Sequence, residues 1–242
     1  MTTLFIADLH LDDERPAITE LFEQYLASDA VRAADALYIL GDLVEAWVGD
    51  DDDAELPTRI ARATRKVRDS GRPVYFMAGN RDFLLGDAYA ERAGLTRLAD
   101  GTVHDVHGTP TLLMHGDVLC TDDLAYQEVR RMVRQPAWQA QVLAMPLDAR
   151  RVFAAKARAD SRAHTGQTSE TIMDVNAEAV RQAMHDAGVS RLIHGHTHRP
   201  AVHALTLDGA PGERIVLGDW YEHGSVLEVT ADGSRLKGLK LP

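Results

Sequence analysis

Five times along this chain a short apolar run stops at a residue able to bind a metal ion. Thr3-Leu4-Phe5-Ile6-Ala7 runs into Asp8-Leu9-His10, and Ala36-Leu37-Tyr38-Ile39-Leu40 into Gly41-Asp42. Pro73-Val74-Tyr75-Phe76-Met77 runs into Ala78-Gly79-Asn80-Arg81-Asp82, and Thr111 to Met114 into His115-Gly116-Asp117. The fifth is Leu192-Ile193, followed by His194-Gly195-His196-Thr197-His198. Short apolar runs bounded by turn residues read as buried strands. If the chain stays extended through Gly195, the period of two points all three imidazoles to one side, and Pro200 rules out a helical continuation.

Helical patterns separate these strands. Pro16 opens a helix carrying Ile18, Leu21, Phe22, Tyr25 and Leu26 on one face. A second begins near Pro57 and stops at Gly71, and Tyr89 to Gly94 closes a third. Residues 174 to 187 form another, with Asp174 as N-cap and Gly188 just past its end. Strands Val103 to His107 and Thr111 to Met114 are joined by a Gly108-Thr109-Pro110 turn, and the C-terminal part alternates as strands with turns at Asp208-Gly209 and Asp232-Gly233. Strands alternating with helices predict a layered α/β fold, whose ligands bind beyond the carboxyl ends of the strands.

The 242 residues suffice for one large domain spanning 1-242, and 45% hydrophobic with 26% charged residues reads as soluble and globular. Cys120, the only cysteine, excludes an intrachain disulfide framework, reads as a small buried hydrophobe and fits a reducing cytosol. A net charge of -11 argues against a nucleic-acid-coating surface, and bound divalent cations would offset part of it. Asp8 interrupts the first apolar stretch with no basic residue before it, so no signal peptide is expected. No apolar run approaches the roughly 20 residues that span a bilayer.

Together the five strand ends offer the carboxylates of Asp8 and Asp42, the amide oxygen of Asn80 and the imidazoles of His10, His115, His196 and His198. That is too many donors for one tetrahedral zinc site, and mixed oxygen and nitrogen donors suit a pair of borderline ions such as manganese, iron or zinc. A two-ion site of roughly 3.5–4 Å separation needs a bridging group, and Asp42, alone at its strand end, is the natural bridge.

In kind and order these five motifs, which span most of the chain, resemble those of the calcineurin-like metallophosphoesterases, a family with a layered sandwich of two β-sheets flanked by helices. The resemblance implies that Asp8, His10 and His198 hold one metal, that Asn80, His115 and His196 hold the other, and that Asp42 holds both. It implies a hydroxide activated by the metal pair as nucleophile, with the metals, Arg81 and His196 stabilising charge on the phosphoryl oxygens. Asp42, Asn80, Arg81 and His196 are thus the expected catalytic residues. His194 lies outside that set and is expected to orient or support.

A closer resemblance is to the branch of this family that cleaves the pyrophosphate of UDP-2,3-diacylglucosamine, giving UMP and 2,3-diacylglucosamine 1-phosphate in lipid A assembly. It rests on residues 3–11, Ala46 to Asp51, Asn80 to Gly86, His115 to Asp123 and Ile172 to Asn176. It implies two Mn2+ ions, with iron, zinc or magnesium as alternatives, and a cytoplasmic location, peripheral on the inner membrane. It implies substrate contacts from Asn80, Arg81, Asp123, Ser161, Thr165, Thr168 and His196. Thr168 stands where related enzymes often carry a lysine. The run Asp50 to Asp53 lacks the ligand spacing of a calcium loop and reads as a solvated loop.

Residues at about 123-165 exceed what the core fold requires and are expected to form a helical cap. Residues 124–162 hold eight Lys/Arg against three Asp/Glu, which reverses the sign of the chain as a whole. Trp138, Val142, Leu143, Met145, Leu147 and Phe153 are expected to line an acyl-chain groove, and Arg150, Arg151, Lys156 and Arg158 to face anionic lipid or substrate phosphate. A phosphodiesterase acting on soluble nucleotides is the alternative, and the apolar insert counts against it. A scaffold without chemistry would need no complete ligand set.

Overall fold

The computed structural model describes residues 1–167 and 172–241, the side chains of 164–167 excepted. Two mixed sheets stack face to face with helices on both outer sides. In the first, β1 (Thr3–Ile6), β2 (Ala36–Leu40), β3 (Val74–Met77) and β4 (Leu95–Leu98) run parallel. The hairpin of β10 (Gly224–Thr230) and β11 (Gly233–Leu239) extends the sheet antiparallel beyond β1. The second sheet has the order β5 (Thr102–Val106), β6 (Thr109–Met114), β7 (Arg191–His194), β9 (Ala210–Val216) and β8 (Ala201–Leu207), with β6, β7 and β9 parallel.

Burial on both faces explains why the first strands are apolar throughout rather than alternating. Phe5, Ala7, Tyr38, Leu40 and Met77 meet Leu113, Ile193 and Ile215 between the sheets. The intervening Leu4, Ile6, Leu37, Ile39, Val74 and Phe76 pack under α1 (Pro16–Leu26), α3 (Glu55–Asp69) and α4 (Asp87–Ala93). On the far side, Leu112, Met114 and Leu192 lie beneath Val180 and Met184 of α8 (Ala177–Ala187). The carboxyl ends of β1, β2, β3, β6 and β7 therefore converge at one end of the sandwich.

Several local expectations shift. Asn176, not Asp174, caps α8: its side chain accepts from the amides of Glu178 and Ala179. The β5–β6 turn is His107-Gly108, both left-handed at φ 53° and 82°, and Pro110 sits inside β6 before pairing with β7 begins at Thr111. Asp208-Gly209 turns the chain as expected, whereas the last hairpin turns on Ala231-Asp232 with Gly233 already in β11. The short α2 (Asp29–Ala33), capped by Ser28, and β4 carry too few residues for a periodic signal.

Between β6 and α8 lie a one-turn 3-10 helix (Asp117–Leu119), α5 (Leu124–Val133), α6 (Pro136–Leu143) and α7 (Leu147–Gln167). The acidic run on the core is only partly the solvated loop expected: Asp51 and Asp53 are exposed, yet all four carboxylates have partners. Asp50 accepts from the amides of Gly86 and Tyr89 and from Trp47 Nε1, fixing the start of α4. Asp51 pairs with Arg150, and Asp52 and Asp53 pair with Arg151. The acidic loop thus seats the base of α7.

Candidate metal centre

The seven predicted ligands converge beyond those strand ends. Seven non-glycine residues have positive φ among the described residues, and five of them are predicted ligands: Asp8 (54°), His10 (47°), Asp42 (53°), His196 (70°) and His198 (56°). A sparsely populated backbone of this kind costs of order 1–3 kcal/mol and persists only where the surroundings impose it. The chain therefore does not stay extended past Gly195, and the expectation of three histidines on one face fails. His194 lies buried in β7, its Nδ1 against Gly195 O at 2.8 Å, outside the cluster. Burial pulls its imidazole down to about 3.

Glycines ahead of the ligands let the loops close in. A Cβ at Gly41 would collide with the His115 ring and with Gly79, and one at Gly195 would strike the Asp8 carboxylate. Asp82, fully buried, clamps the two middle loops by accepting from the amides of Leu43 and Gly79, each at 2.7 Å.

Two donor clusters result. In one, His10 Nε2 lies 3.3 Å from His198 Nε2, which lies 3.5 Å from Asp8 Oδ1. In the other, Asn80 Oδ1 lies 2.9 Å from both His115 Nε2 and His196 Nδ1. Asp42 faces both, with Oδ2 3.8 Å from His10 Nε2 and Oδ1 3.8 Å from His115 Nε2. Asp8 also reaches both sides, since its carboxylate groups with His10 and His198 and equally with Asp42 and His115.

This donor set fits a bound cation. Asp8 Oδ1 is buried without a hydrogen-bond partner among the described residues, and a desolvated carboxylate oxygen with no donor calls for positive charge. Burial would raise the Asp8 carboxyl, yet the imidazoles of His198, His115 and His10 hold it below the usual carboxylate range. Burial pulls His10 and His196 each down to about 4, leaving neutral rings with a lone pair to donate. Burial opposes protonation of His115 too, but Asp42 and Asp117 push it up to about 9, a site where a cation would displace a proton.

Sequence reasoning missed the groups that sit against these predicted ligands. His10 Nδ1 lies 3.1 Å from Glu45, His198 Nδ1 lies 3.7 Å from Asp219, and His115 Nδ1 lies 2.9 Å from Leu40 O. Tyr221 stacks on His10 at 5.0 Å and 10°. Ile215-Val216-Leu217-Gly218-Asp219 repeats the signature of an apolar run ending in Gly-Asp, which could have revealed Asp219.

A cavity of about 740 Å³ opens over the cluster, and Arg81, Asp123, Tyr126, Arg158, Ser161 and Tyr221 are among its lining residues. The Arg81 amide donates to Asp42 Oδ1 at 2.7 Å, and its guanidinium donates to Ser161 Oγ at 3.3 Å. Asp123 caps α5 through the Tyr126 amide. Tyr126 donates to Asp117, and its ring lies 5.7 Å from that of His196. Thr168 and the side chain of Thr165 lie outside the described residues.

The cap departs from expectation. Val142 is buried in the core and lines no open groove; Trp138 is half-buried, packed beside Phe83 and Phe153, and Leu143 and Phe153 are exposed. Arg150 is buried against Asp51, Arg151 is held by Asp52 and Asp53, and Lys156 pairs with Asp160. Of those four cations only Arg158 lines the cavity, and it pairs with Glu45. The basic excess of the insert thus largely meets acidic partners of the protein itself.

A protein identified as UDP-2,3-diacylglucosamine hydrolase from Xanthomonas axonopodis pv. citri is 56% identical over 248 residues, covering 100% of both chains. One of the same name from Cellvibrio japonicus is 53% identical over 98% of each. A solved archaeal phosphodiesterase superposes with a TM-score of 0.51 at 11% identity, covering 99% of this chain and 100% of its own, which shows likeness of fold alone. The model of the calcineurin-like phosphoesterases matches residues 1–200, and the chain belongs to that family.

Proposed function

We propose that this protein hydrolyses the pyrophosphate bond of UDP-2,3-diacylglucosamine, releasing UMP and 2,3-diacylglucosamine 1-phosphate. Water supplies the new P–O bond, and the bridging P–O bond breaks. What carries the reading is end-to-end identity above 50% to relatives of that name, joined to a donor set in which Asp42 faces both clusters. The metal is read as two Mn2+ ions, held by Asp8, His10, Asp42 and His198 on one side and Asp42, Asn80, His115 and His196 on the other. Bound there, they would activate water and neutralise phosphoryl charge.

The remaining residues position the substrate. Arg81, held by Ser161, presents its guanidinium to the pyrophosphate oxygens as a fixed cation. His196, kept neutral by burial, approaches the same oxygens. Asp123 and Ser161 lie on the cavity wall toward the insert, where the sugar and nucleotide would sit, and Thr165 and Thr168 are read as further substrate contacts. The insert, a cap on a single domain, leaves Leu124, Leu143, Val152 and Phe153 exposed, and these suit acyl chains and a peripheral position on the cytoplasmic face of the inner membrane. Among the described residues no helix is long and apolar enough to cross a membrane.

The test is manganese-dependent hydrolysis of UDP-2,3-diacylglucosamine beside UDP-N-acetylglucosamine and a generic phosphodiester, with products identified by mass. UMP and the acylated sugar phosphate, formed from the diacylated substrate by preference, support the reading. Equal or better turnover of the soluble substrates would favour the nucleotide phosphodiesterase instead.

A further inference from the structure

We infer that Glu45 is a positioning residue that links the metal ligand His10 to the cap helix α7, so that seating of the cap tightens metal binding on the His10 side. The inference rests on the dinuclear reading above. The loops after β1 and β2 run side by side: Asp8 N donates to Gly41 O, His10 N to Asp42 O, Leu11 N to Leu43 O, and Glu45 N back to Leu11 O, at 2.9–3.1 Å. That ladder fixes Glu45 beside His10 whether or not their side chains interact.

The side chains complete the arrangement. His10 Nδ1 and Glu45 Oε2 are 3.1 Å apart, a charge contact between two buried atoms, neither of which has a hydrogen-bond partner among the described residues. A proton on Nδ1 directed at this carboxylate leaves Nε2 free, and Nε2 is the atom facing Asp42 and His198. The other oxygen, Oε1, pairs with Arg158 of α7, while Arg15 lies 3.5 Å from Oε2. Arg15 in turn donates to His10 O at 2.5 Å and lies over the Tyr221 ring that stacks on His10. One carboxylate thus answers a ligand imidazole and two arginines, one of them from the cap. Arg158 Nε and Nη1 are buried without hydrogen-bond partners among the described residues, so Glu45 is the contact that engages its charge.

Orienting carboxylates of this kind typically alter metal affinity 10–100-fold. Manganese titration of the metal-free protein, with stoichiometry and affinity read by calorimetry, should give two ions for the wild type. Glu45→Gln should weaken one of the two sites by about 10-fold or more and leave the other unchanged. Arg158→Met, which touches no ligand, should weaken that same site by about 3–10-fold. Unaltered melting of both metal-free variants would separate this effect from misfolding. Wild-type affinity at both sites in Glu45→Gln overturns the inference, and wild-type affinity in Arg158→Met overturns the link to the cap. A wild type that binds no second ion would instead defeat the dinuclear reading.

Discussion

Arg150, at the base of α7, is 3% exposed, and its guanidinium meets the carboxylate of Asp51 side by side while also donating to Val48 O and Met145 O. A buried guanidinium with this many acceptors is a fastening, because removing it leaves two carbonyls and a carboxylate without their donor. Arg151 adds a second attachment to Asp52 and Asp53.

Arg150→Met should therefore loosen α6 and α7 while leaving the sandwich intact. The expected loss is about 1–3 kcal/mol, by analogy with hydrogen bonds to charged groups. Hydrogen exchange should accelerate in residues 136–163 and not in β1, β2 or β3. Uniform acceleration across the chain would show that the seam supports the whole fold.

The helical insert was legible as an extra segment, but its attachments were not. The like-charge runs Arg150-Arg151 and Asp50 to Asp53 give no hint that residues about 100 positions apart will meet, since ion pairing depends on the tertiary path. The strand ends were legible because each is a local signal: an apolar run buried on two faces, then a glycine, then a donor. Conformation at those ends was not: five of the predicted ligands adopt left-handed backbones, and although Asp and His tolerate that region better than most residues, their identity alone does not dictate it. Glu45 and Tyr221 carry no motif, and only the folded loops bring them to His10.

His194 gives the protein a defined acid sensitivity. It is fully buried, and burial pulls its imidazole from an ordinary value of 6.5 to about 3. Below pH 6.5 the unfolded chain takes up a proton that the folded chain refuses. The contribution of His194 to stability is thus whole above 6.5 and falls by about 1.4 kcal/mol per pH unit as pH drops toward 3. For the metal-free protein, urea unfolding between pH 5 and 6.5 should show a pH slope smaller by close to one proton in His194→Gln. Equal slopes in the two proteins would mean that His194 is already charged when folded.

Leu143 and Phe153 are the exposed members of the apolar set expected to hold acyl chains. Burial of a methylene is worth about 0.8 kcal/mol, so even partial loss of an acyl contact should reach 10-fold in KM. Leu143→Asn with Phe153→Asn should raise KM for UDP-2,3-diacylglucosamine and leave hydrolysis of a small phosphodiester unchanged. Equal losses on both substrates would assign these residues to cap stability, and no loss on either would place the acyl site elsewhere.

The central claim is that Asp42 joins two metal sites into one catalytic centre, each carboxylate oxygen lying 3.8 Å from an imidazole of a different cluster. Asp42→Asn keeps the shape and removes the shared charge. Metal content by mass spectrometry, taken on the same sample as turnover of UDP-2,3-diacylglucosamine, should show two ions per chain in the wild type. In the variant it should show fewer than two, with turnover reduced by about 100-fold or more, several kcal/mol of lost charge stabilisation. Two ions retained with near-normal turnover would contradict the account.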